Sequence, residues 1–165
     1  MNNLEAFNSI NTFIFDVDGV LTDGNLIVLE NGQLLRTMNT KDGFAMKKAI
    51  DAGYKIAIIT GGNSEGVVSR LKGLGINDIY AGVSEKIDSF QELVYTYDLD
   101  AEAILYMGDD LPDLEVMVKV GLPTCPSDAD HEIQRISKYI SAHKGGQGCV
   151  RDVIERVMRV QGKWS

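Results

Sequence analysis

Short apolar runs alternate with amphipathic segments along almost the whole chain. The runs are rich in β-branched residues and too short for typical helices, so each predicts a strand. The predicted strands are residues 12–15, 55–59, 78–81, 103–107, 122–124 and 139–141. Because these runs are apolar at nearly every position, they are typical of parallel strands buried on both faces. The alternation therefore predicts an α/β fold, a Rossmann-like three-layer domain around a central parallel sheet.

Two of the intervening segments have a clear helical period. Near the C-terminus, apolar residues with helical spacing would form one buried face; these residues are Val150, Val153, Ile154, Val157 and Met158. The same spacing occurs earlier in the chain, at Phe90, Leu93, Val94 and Tyr97. Both segments predict helices that pack one face against the sheet.

Residues 26–38 interrupt the alternation with two short extended runs. Asn31 and Gly32 stand between the runs, and this dipeptide favours a two-residue type I′ turn, in which both central residues have positive φ. We therefore predict a β-hairpin flap shortly after the first strand and the acidic residues that follow it. Asp23 and Gly24 would shape the turn into the hairpin.

Composition and charge narrow the class of protein. The length of 165 residues suits a single domain, which we assign to residues 1–165. The longest apolar runs are too short to cross a bilayer and the N-terminus resembles no secretory signal, so we expect a cytoplasmic protein with no membrane partner. Cys125 and Cys149 match no metal or redox spacing and should be free thiols. The net charge of −8 argues against a nucleic-acid partner, and it means that a bound phosphate needs a cation and nearby lysines.

Acidic, small and basic residues follow the predicted strands at the points where the strands end. In open α/β sheets these carboxyl ends converge on one ligand-binding crevice. Each group has an ordinary structural interpretation when it is taken alone, as a turn, a loop, a solvated lysine or a helix cap. Their joint occurrence predicts an active site that contains Asp16, Asp18, the Thr60-Gly61-Gly62 turn, Lys86, Asp109, Asp110 and Asp113.

The residue types favour hydrolysis of a phosphate ester. A carboxylate can attack phosphorus and form an aspartyl-phosphate, and Asp16, the first residue beyond the strand, is the candidate nucleophile. Asp18 could give a proton to the leaving alkoxide and later take one from water. Crowded carboxylates that face a phosphate need a divalent cation such as Mg²⁺, and its predicted ligands are Asp16, the backbone carbonyl of Asp18, and Asp109. Thr60 and the amides after it would bind phosphoryl oxygens, and Lys86 would neutralise charge in the transition state.

Four segments resemble, in chain order, the motifs of the haloacid dehalogenase superfamily of phosphatases: DVDGVLTDG, TGG, the lysine Lys86, and GDDLPD. NTKDGFAMK and KGGQGCVRDV extend the resemblance to a subgroup without a cap domain, which acts on phosphates of 3-deoxy-2-keto sugar acids. The resemblance implies the same roles for Asp16, Asp18, Lys86 and Asp109. It also implies a phosphorylated sugar acid as substrate, 3-deoxy-D-manno-octulosonate 8-phosphate, whose product feeds lipopolysaccharide assembly. Nine-carbon 9-phosphates of the deoxynononate and sialic acid type are the alternative substrates.

The substrate-binding residues are implied by the resemblance. They are Asn39, Thr40, Lys41, Asp42 and Gly43, the basic residues Lys47 and Arg70, and Asp18, Gly61 and Lys86. Without the resemblance, residues 39–43 would be an N-cap and turn before a helix, and Lys47 and Arg70 would be solvated helix charges. One position departs from the family pattern, because octulosonate phosphatases commonly have arginine where this chain has Gly62. The missing guanidinium removes a bidentate partner for a carboxylate.

An open crevice without a cap needs another cover, because it can neither exclude water nor hold a sugar acid. The resemblance implies a homotetramer in which hairpins associate and neighbouring subunits complete each active site. The apolar letters LIVL and LL within residues 26–38 agree with this, since a projecting hairpin would expose them; a hairpin folded onto its own domain is the alternative. The resemblance also places the glycine-rich segment 144–148 near an active site, with Arg151 just beyond, and a plain loop is the alternative.

Two functions of other classes use similar residues. A receiver-type signalling domain also has an aspartate, Mg²⁺, a Thr or Ser and a lysine at the ends of a parallel sheet, but it has no aspartate two residues beyond its phosphoacceptor. Asp18 supplies such a base here, which favours a phosphatase. A degenerate phosphatase fold used only for interaction is disfavoured by the complete set of Asp16, Asp18, Lys86 and Asp109.

Overall fold

Six parallel strands form the central sheet of the computed structural model, which describes residues 3–165. The strands of the chain are β1 (Thr12–Phe15), β2 (Ile27–Val28), β3 (Leu34–Leu35), β4 (Lys55–Ile59), β5 (Asp78–Tyr80), β6 (Ile104–Met107), β7 (Leu122–Cys125) and β8 (Tyr139–Ile140). The spatial order in the sheet is β5-β4-β1-β6-β7-β8, so β1 lies between β4 and β6. The predicted α/β fold is confirmed, and the predicted sheet strands end within one residue of the observed ones.

Helices cover both faces of this sheet. They are α1 (Asn3–Asn8), α2 (Thr40–Asp51), α3 (Glu65–Gly73), α4 (Lys86–Tyr97), α5 (Leu114–Met117), α6 (His131–Ile136) and α7 (Cys149–Val160). Successive residues of a strand face opposite sides, and β1 shows the consequence. Phe13 and Phe15 pack in a core with α2, α3 and α7, whereas Ile14 packs in a second core with α4, α5 and α6. The two cores produce the three layers that the alternating pattern predicts.

The two predicted helices correspond to α7 and α4. All five apolar residues of the C-terminal period are buried in α7, and Phe90 and Leu93 are buried in α4. α7 packs against α2, and this contact positions the start of α2 beside the edge of the sheet where the polar residues collect.

The hairpin is formed by β2 and β3, which pair antiparallel. The predicted type I′ turn is wrong, because Asn31 does not have positive φ, whereas Gly32 has φ of 88°. Leu29 and Gln33 instead close a three-residue loop, in which the Gly32 amide donates to the Leu29 carbonyl at 2.9 Å. The Asn31 side chain accepts from the Gln33 amide at 3.0 Å, a local bond that asparagine favours in turns. A turn followed by a left-handed glycine is typical of three-residue hairpin loops.

The chain between β1 and α2 contains this hairpin and a short turn at Val17–Leu21, and no separate domain. The capless form of the predicted fold is therefore observed, and the strand ends next to the hairpin stay open. In the part of the chain that the structure describes, no helix combines the length and the apolar composition that crossing a bilayer requires.

Candidate active site

A cleft of about 390 Å³ lies where β1, β4 and β6 end. Asp16 directly follows β1, Thr60 directly follows β4, and Asp109 comes two residues after β6. Because these three strands are adjacent and parallel, their carboxyl ends meet at one edge of the sheet. The cleft is lined by Asp16, Asp18, Gly24, Thr60, Gly61, Gly62, Lys86, Asp109, Asp110, Pro112 and Asp113.

The loop after β1 positions Asp16. Its Oδ1 accepts a hydrogen bond from the Val17 amide at 2.7 Å, and the residue is 6% exposed. Gly19 has φ of 88°, and a β-carbon at this position would overlap the Asp109 carboxylate. Glycine is needed here for two reasons, because it allows the turn and it allows the acidic residues to approach each other.

Lys86, the first residue of α4, connects two of the acidic residues. Its side chain is 7% exposed, and Nζ lies 3.1 Å from Asp16 Oδ1 and donates to Asp113 Oδ1 at 2.8 Å. These carboxylates raise the pKa of Lys86 although burial opposes this. Asp113 also accepts from the Tyr106 hydroxyl at 2.6 Å and from two backbone amides after β6 at 3.0 and 3.4 Å. A buried ion pair needs such additional donors. The sequence predicts that Asp113 lies in the active site, but it does not predict these contacts.

Asp16, Asp109 and Asp113 place three carboxylate oxygens within 4.8 Å of one another. Burial and the charge of Asp113 raise the pKa of Asp16 to about 7, and burial and the charge of Asp16 raise the pKa of Asp109 to about 8. The shared cause is negative charge that has been removed from water and that one ammonium group does not neutralise. Hard carboxylate oxygens in this arrangement fit Mg²⁺. The cluster contains the predicted ligands Asp16 and Asp109. Asp113 lies beside them, but both of its oxygens already accept hydrogen bonds from protein groups.

Asp18 lies in the wall of the cleft and forms an ion pair with the hairpin. Arg36, directly after β3, donates from Nε to Asp18 Oδ1 at 2.7 Å and from Nη2 to Asp18 Oδ2 at 3.2 Å. The side chain of Asp18 is 36% exposed and that of Arg36 is 7% exposed. Sequence reasoning missed Arg36, because 18 positions separate it from Asp18 and no local spacing relates the two.

The Thr60-Gly61-Gly62 turn forms another part of the wall. Thr60 is 5% exposed, and its hydroxyl accepts from the Gly62 amide at 3.2 Å. A β-carbon at Gly62 would lie 3.0 Å from Arg36 Nη2 and 3.1 Å from Asp18 Oδ2. A guanidinium therefore does lie over position 62 in this chain, but it comes from the hairpin.

The predicted substrate-binding residues at the start of α2 lie outside this cleft in the single subunit. Asn39 caps α2, because its side chain accepts from the Lys41 and Asp42 amides at 2.8 and 3.2 Å. Asp42 is 1% exposed, and its Oδ1 accepts from the Arg151 amide in the first turn of α7 at 2.9 Å. Asn39, Thr40 and Lys41 line a separate groove of about 700 Å³ together with residues of α7.

Gly43, Lys47 and Arg70 line another groove, of about 640 Å³, between α2 and α3. A β-carbon at Gly43 would lie 2.6 Å from Arg70 Nη2, so glycine leaves room for this guanidinium. Lys47 is exposed and pairs with Asp51 at 3.6 Å. One subunit does not bring these residues to the aspartate cluster, and their assignment to the substrate stays a prediction.

The glycine-rich segment 144–148 packs against the loop after β1. The Gly146 amide donates to the Val20 carbonyl at 3.0 Å, and Gly146 has φ of 72°. A β-carbon at Gly145 would overlap the Gly19 carbonyl. In its own subunit the segment therefore supports the loop that carries the acidic residues.

Comparison with known proteins agrees with this geometry. Residues 72–154 match the family model of the haloacid dehalogenase-like hydrolases. The 3-deoxy-D-manno-octulosonate 8-phosphate phosphatase of Escherichia coli K12 is 37% identical over 155 residues, which cover 94% of this chain and 82% of the relative.

Solved structures of similar proteins have the same fold. The 3-deoxy-D-manno-octulosonate 8-phosphate phosphatase of Yersinia pestis has a TM-score of 0.94 and 34% identity, and the match covers 97% of this chain and 86% of that chain. The enzyme of the same name from Moraxella catarrhalis, in complex with a magnesium ion, a phosphate ion and KDO, has a TM-score of 0.93 and 31% identity, and the match covers 96% and 91%. Similarity of sequence and fold over nearly the whole length shows that the chain belongs to the haloacid dehalogenase-like hydrolases.

Proposed function

We propose that the protein is a Mg²⁺-dependent phosphatase that hydrolyses 3-deoxy-D-manno-octulosonate 8-phosphate to the sugar acid and phosphate, a step in lipopolysaccharide precursor synthesis. One observation carries the proposal: Asp16 is buried at the end of β1, beside Lys86 and clustered with Asp109, while Asp18 lines the same cleft. The relatives named for this activity match nearly the whole chain.

In the first step, a carboxylate oxygen of Asp16 attacks the phosphorus atom, and the bond from phosphorus to the sugar oxygen breaks. Protonated Asp18 gives its proton to the departing alkoxide, which leaves as the alcohol of the sugar acid. Lys86, the Thr60 hydroxyl and the Gly61 amide donate to phosphoryl oxygens and offset the charge on them. The step leaves phosphorylated Asp16 and ionised Asp18.

In the second step, ionised Asp18 takes a proton from a water molecule that attacks the phosphorus atom. The bond between Asp16 and phosphorus breaks, phosphate leaves, and protonated Asp18 is restored for the next cycle. Bound Mg²⁺, held by Asp16, Asp109 and the Asp18 carbonyl, would shield the carboxylates and polarise the phosphoryl group.

The active assembly is a cytoplasmic homotetramer in this proposal. Six apolar hairpin residues are between 36% and 68% exposed in the single subunit: Leu26, Ile27, Val28, Leu29, Leu34 and Leu35. Such a surface is typical of a site for protein association. Association of hairpins would cover the open cleft, and it would give residues 39–43, Lys47 and Arg70 a route to the substrate of a neighbouring subunit.

A nine-carbon keto-acid 9-phosphate is the second candidate substrate, and Gly62 is the observation that favours it. The usual arginine of the octulosonate phosphatases is absent at this position, so a carboxylate partner expected for the eight-carbon acid is missing.

The decisive experiment measures kcat/KM for the eight-carbon and nine-carbon phosphates, with Mg²⁺ and with a chelator. We expect the eight-carbon ester to be preferred by about tenfold or more, since enzymes discriminate substrates through this ratio, and we expect chelation to abolish turnover. A preference for the nine-carbon ester would replace the substrate assignment. Absence of sustained phosphate release from any ester would contradict a phosphatase and favour a receiver-type or scaffold function.

A further inference from the structure

The hairpin is attached to the cleft through the side chain of Arg36. Both hydrogen bonds that the Asp18 carboxylate makes to the described residues come from this guanidinium, at 2.7 Å from Nε and 3.2 Å from Nη2. A bidentate contact of this kind fixes the rotation of a carboxylate as well as its position. The hairpin therefore sets the orientation of Asp18, although Asp18 itself belongs to the loop after β1.

The burial of the two partners shows which one faces the cleft. The Asp18 side chain is 36% exposed and lines the cleft, whereas the Arg36 side chain is 7% exposed and does not line it. Arg36 instead borders a small apolar pocket with Val67 and Leu71 of α3. An exposed ion pair is held weakly, but the arginine side of this pair is largely shielded from water.

Gly62 provides the space that this arrangement needs. A β-carbon there would lie 3.0 Å from Arg36 Nη2 and 3.1 Å from Asp18 Oδ2, which is closer than ordinary van der Waals contact. A longer side chain would have to enter the space of the ion pair itself. The residues at positions 36 and 62 are therefore coupled, because a side chain at position 62 would displace the guanidinium or the carboxylate from its observed place.

The chemistry of the cleft gives this coupling a function. Asp18 must lie within hydrogen-bond reach of the leaving oxygen, about 2.6–3.2 Å, to transfer a proton. We infer that Arg36 is a positioning residue that orients Asp18 for proton transfer, and that Gly62 admits it. The inference rests on the proposed function and adds to it the residue pair that aims the acid/base group.

Leaving groups of different basicity test this role. A departing phenolate depends strongly on receiving a proton, whereas 4-nitrophenolate is stable as an anion and depends on it little. Neither phenyl phosphate nor 4-nitrophenyl phosphate carries a carboxylate. Arg36→Gln should lower kcat/KM for phenyl phosphate by about 10- to 100-fold, since a misplaced acid loses much of its contribution. It should lower kcat/KM for 4-nitrophenyl phosphate by less than about threefold, because that ester needs little help from the acid.

Two further variants separate positioning from folding. Arg36→Lys keeps the charge and loses the bidentate contact, so its effect should be intermediate. Gly62→Ala keeps the arginine but forces the ion pair to shift by a few tenths of an ångström, so it should change the ratio of the two kcat/KM values in the same direction. The matched controls are Arg135→Gln, at an exposed residue of α6, and Gly66→Ala, whose β-carbon would come no closer than 3.9 Å to Ser64 Oγ. Both should leave the ratio unchanged.

Equal losses for both esters in Arg36→Gln and in Gly62→Ala, or no loss in either, would overturn the inference and leave the proposed function standing. A wild-type protein that releases phosphate from neither aryl ester nor from the sugar acid phosphates would overturn both. A larger loss for phenyl phosphate in both variants, with unchanged ratios in the controls, is the result that supports the inference.

Discussion

The aspartate cluster and the hairpin lie next to each other, yet they are built in opposite ways. In the cluster, Asp16, Lys86 and Asp113 are buried, and their ion pairs join the loops after β1 and β6 to the start of α4. In the hairpin, each strand has only two residues, and the apolar side chains are exposed. The contrast is that the predicted catalytic residues already lie together in a single chain, whereas the apolar residues of the hairpin have no covering surface in it.

The physical reason lies in what supports each region. The cluster stands at the end of a six-stranded sheet with a core on each face, so its side chains have little freedom. A two-stranded hairpin alone is only marginally stable, and its apolar residues stabilise nothing until another surface buries them. Arg36 is the contact through which the hairpin reaches Asp18, the proposed acid/base residue of the cleft.

The largest expected effect tests whether the cluster holds the chemistry. Asp16→Asn keeps the shape of the side chain and removes the nucleophile, so kcat should fall at least about a hundredfold. Asp23→Asn is the matched control within the same acidic run, because Asp23 is exposed and its carboxylate accepts from the Asn25 amide at 2.9 Å, outside the cleft. Phosphate release above a few percent of the wild-type rate in Asp16→Asn would contradict the assignment of Asp16 as the nucleophile.

The second prediction concerns the stability of the cluster. Asp113→Ala removes the acceptor of the buried Tyr106 hydroxyl and one of the two carboxylates beside Lys86, which keeps Asp16, so the free energy of unfolding should fall by about 2–4 kcal/mol. Urea denaturation in the presence of Mg²⁺ measures this change. Asp51→Ala is the control, because its pair with Lys47 is exposed and should contribute less than about 1 kcal/mol. Similar losses in the two variants would show that the cluster is no more tightly built than the surface.

The third prediction examines a buried carboxylate outside the cluster. Burial raises the pKa of Asp42 to about 6 from an ordinary 3.8, although the Arg151 and Gly148 amides donate to it. The folded state then binds this proton more tightly than the unfolded chain does. The contribution of Asp42 to the free energy of unfolding should therefore fall by about 2–3 kcal/mol as the pH rises from about 4 to about 6.

Asp42→Asn isolates this contribution, because the amide keeps an acceptor for the Arg151 amide and cannot ionise. Its free energy of unfolding should change less than that of the wild type over the same pH range, when urea unfolding is measured at several pH values. Parallel curves for the two proteins would contradict the raised pKa. A weaker pH dependence for Asp42→Asn would distinguish Asp42 from Asp16 and Asp109, because a cation can neutralise the buried charge of those two residues.

The smallest effect on folding is expected in the hairpin. Ile27 and Val28 are 55% and 68% exposed, so serine at both positions should change the free energy of unfolding of a subunit by no more than about 0.5 kcal/mol per site. The same double variant should dissociate the proposed tetramer, as measured by light scattering at micromolar concentration. Val118→Ser, at a residue 61% exposed outside the hairpin, should leave the assembly intact. A monomeric wild-type protein would contradict the tetramer.

The short-range sequence pattern was enough to predict those strands and helices that residues a few positions apart specify. The run at 12–15 and the helical period from Val150 to Met158 predict the observed elements, because a strand or helix is specified by residues a few positions apart. The Asn31-Gly32 turn shows the limit, since the same dipeptide suits two loop lengths. The bond from the Asn31 side chain to the Gln33 amide accompanies the longer loop that the chain adopts.

The order of the motifs along the chain was sufficient to identify the strand-end cleft, the candidate nucleophile Asp16 and the need for a divalent cation. These conclusions depend on residues that directly follow strands, whose ends must meet in a parallel sheet. Two features could be recognised only in the tertiary structure. They are the ion pair of Arg36 with Asp18 beside Gly62, and the burial of Asp42 against α7. Such contacts join residues from separate elements, and spacing along the chain carries no information about which side chains meet across the space between them.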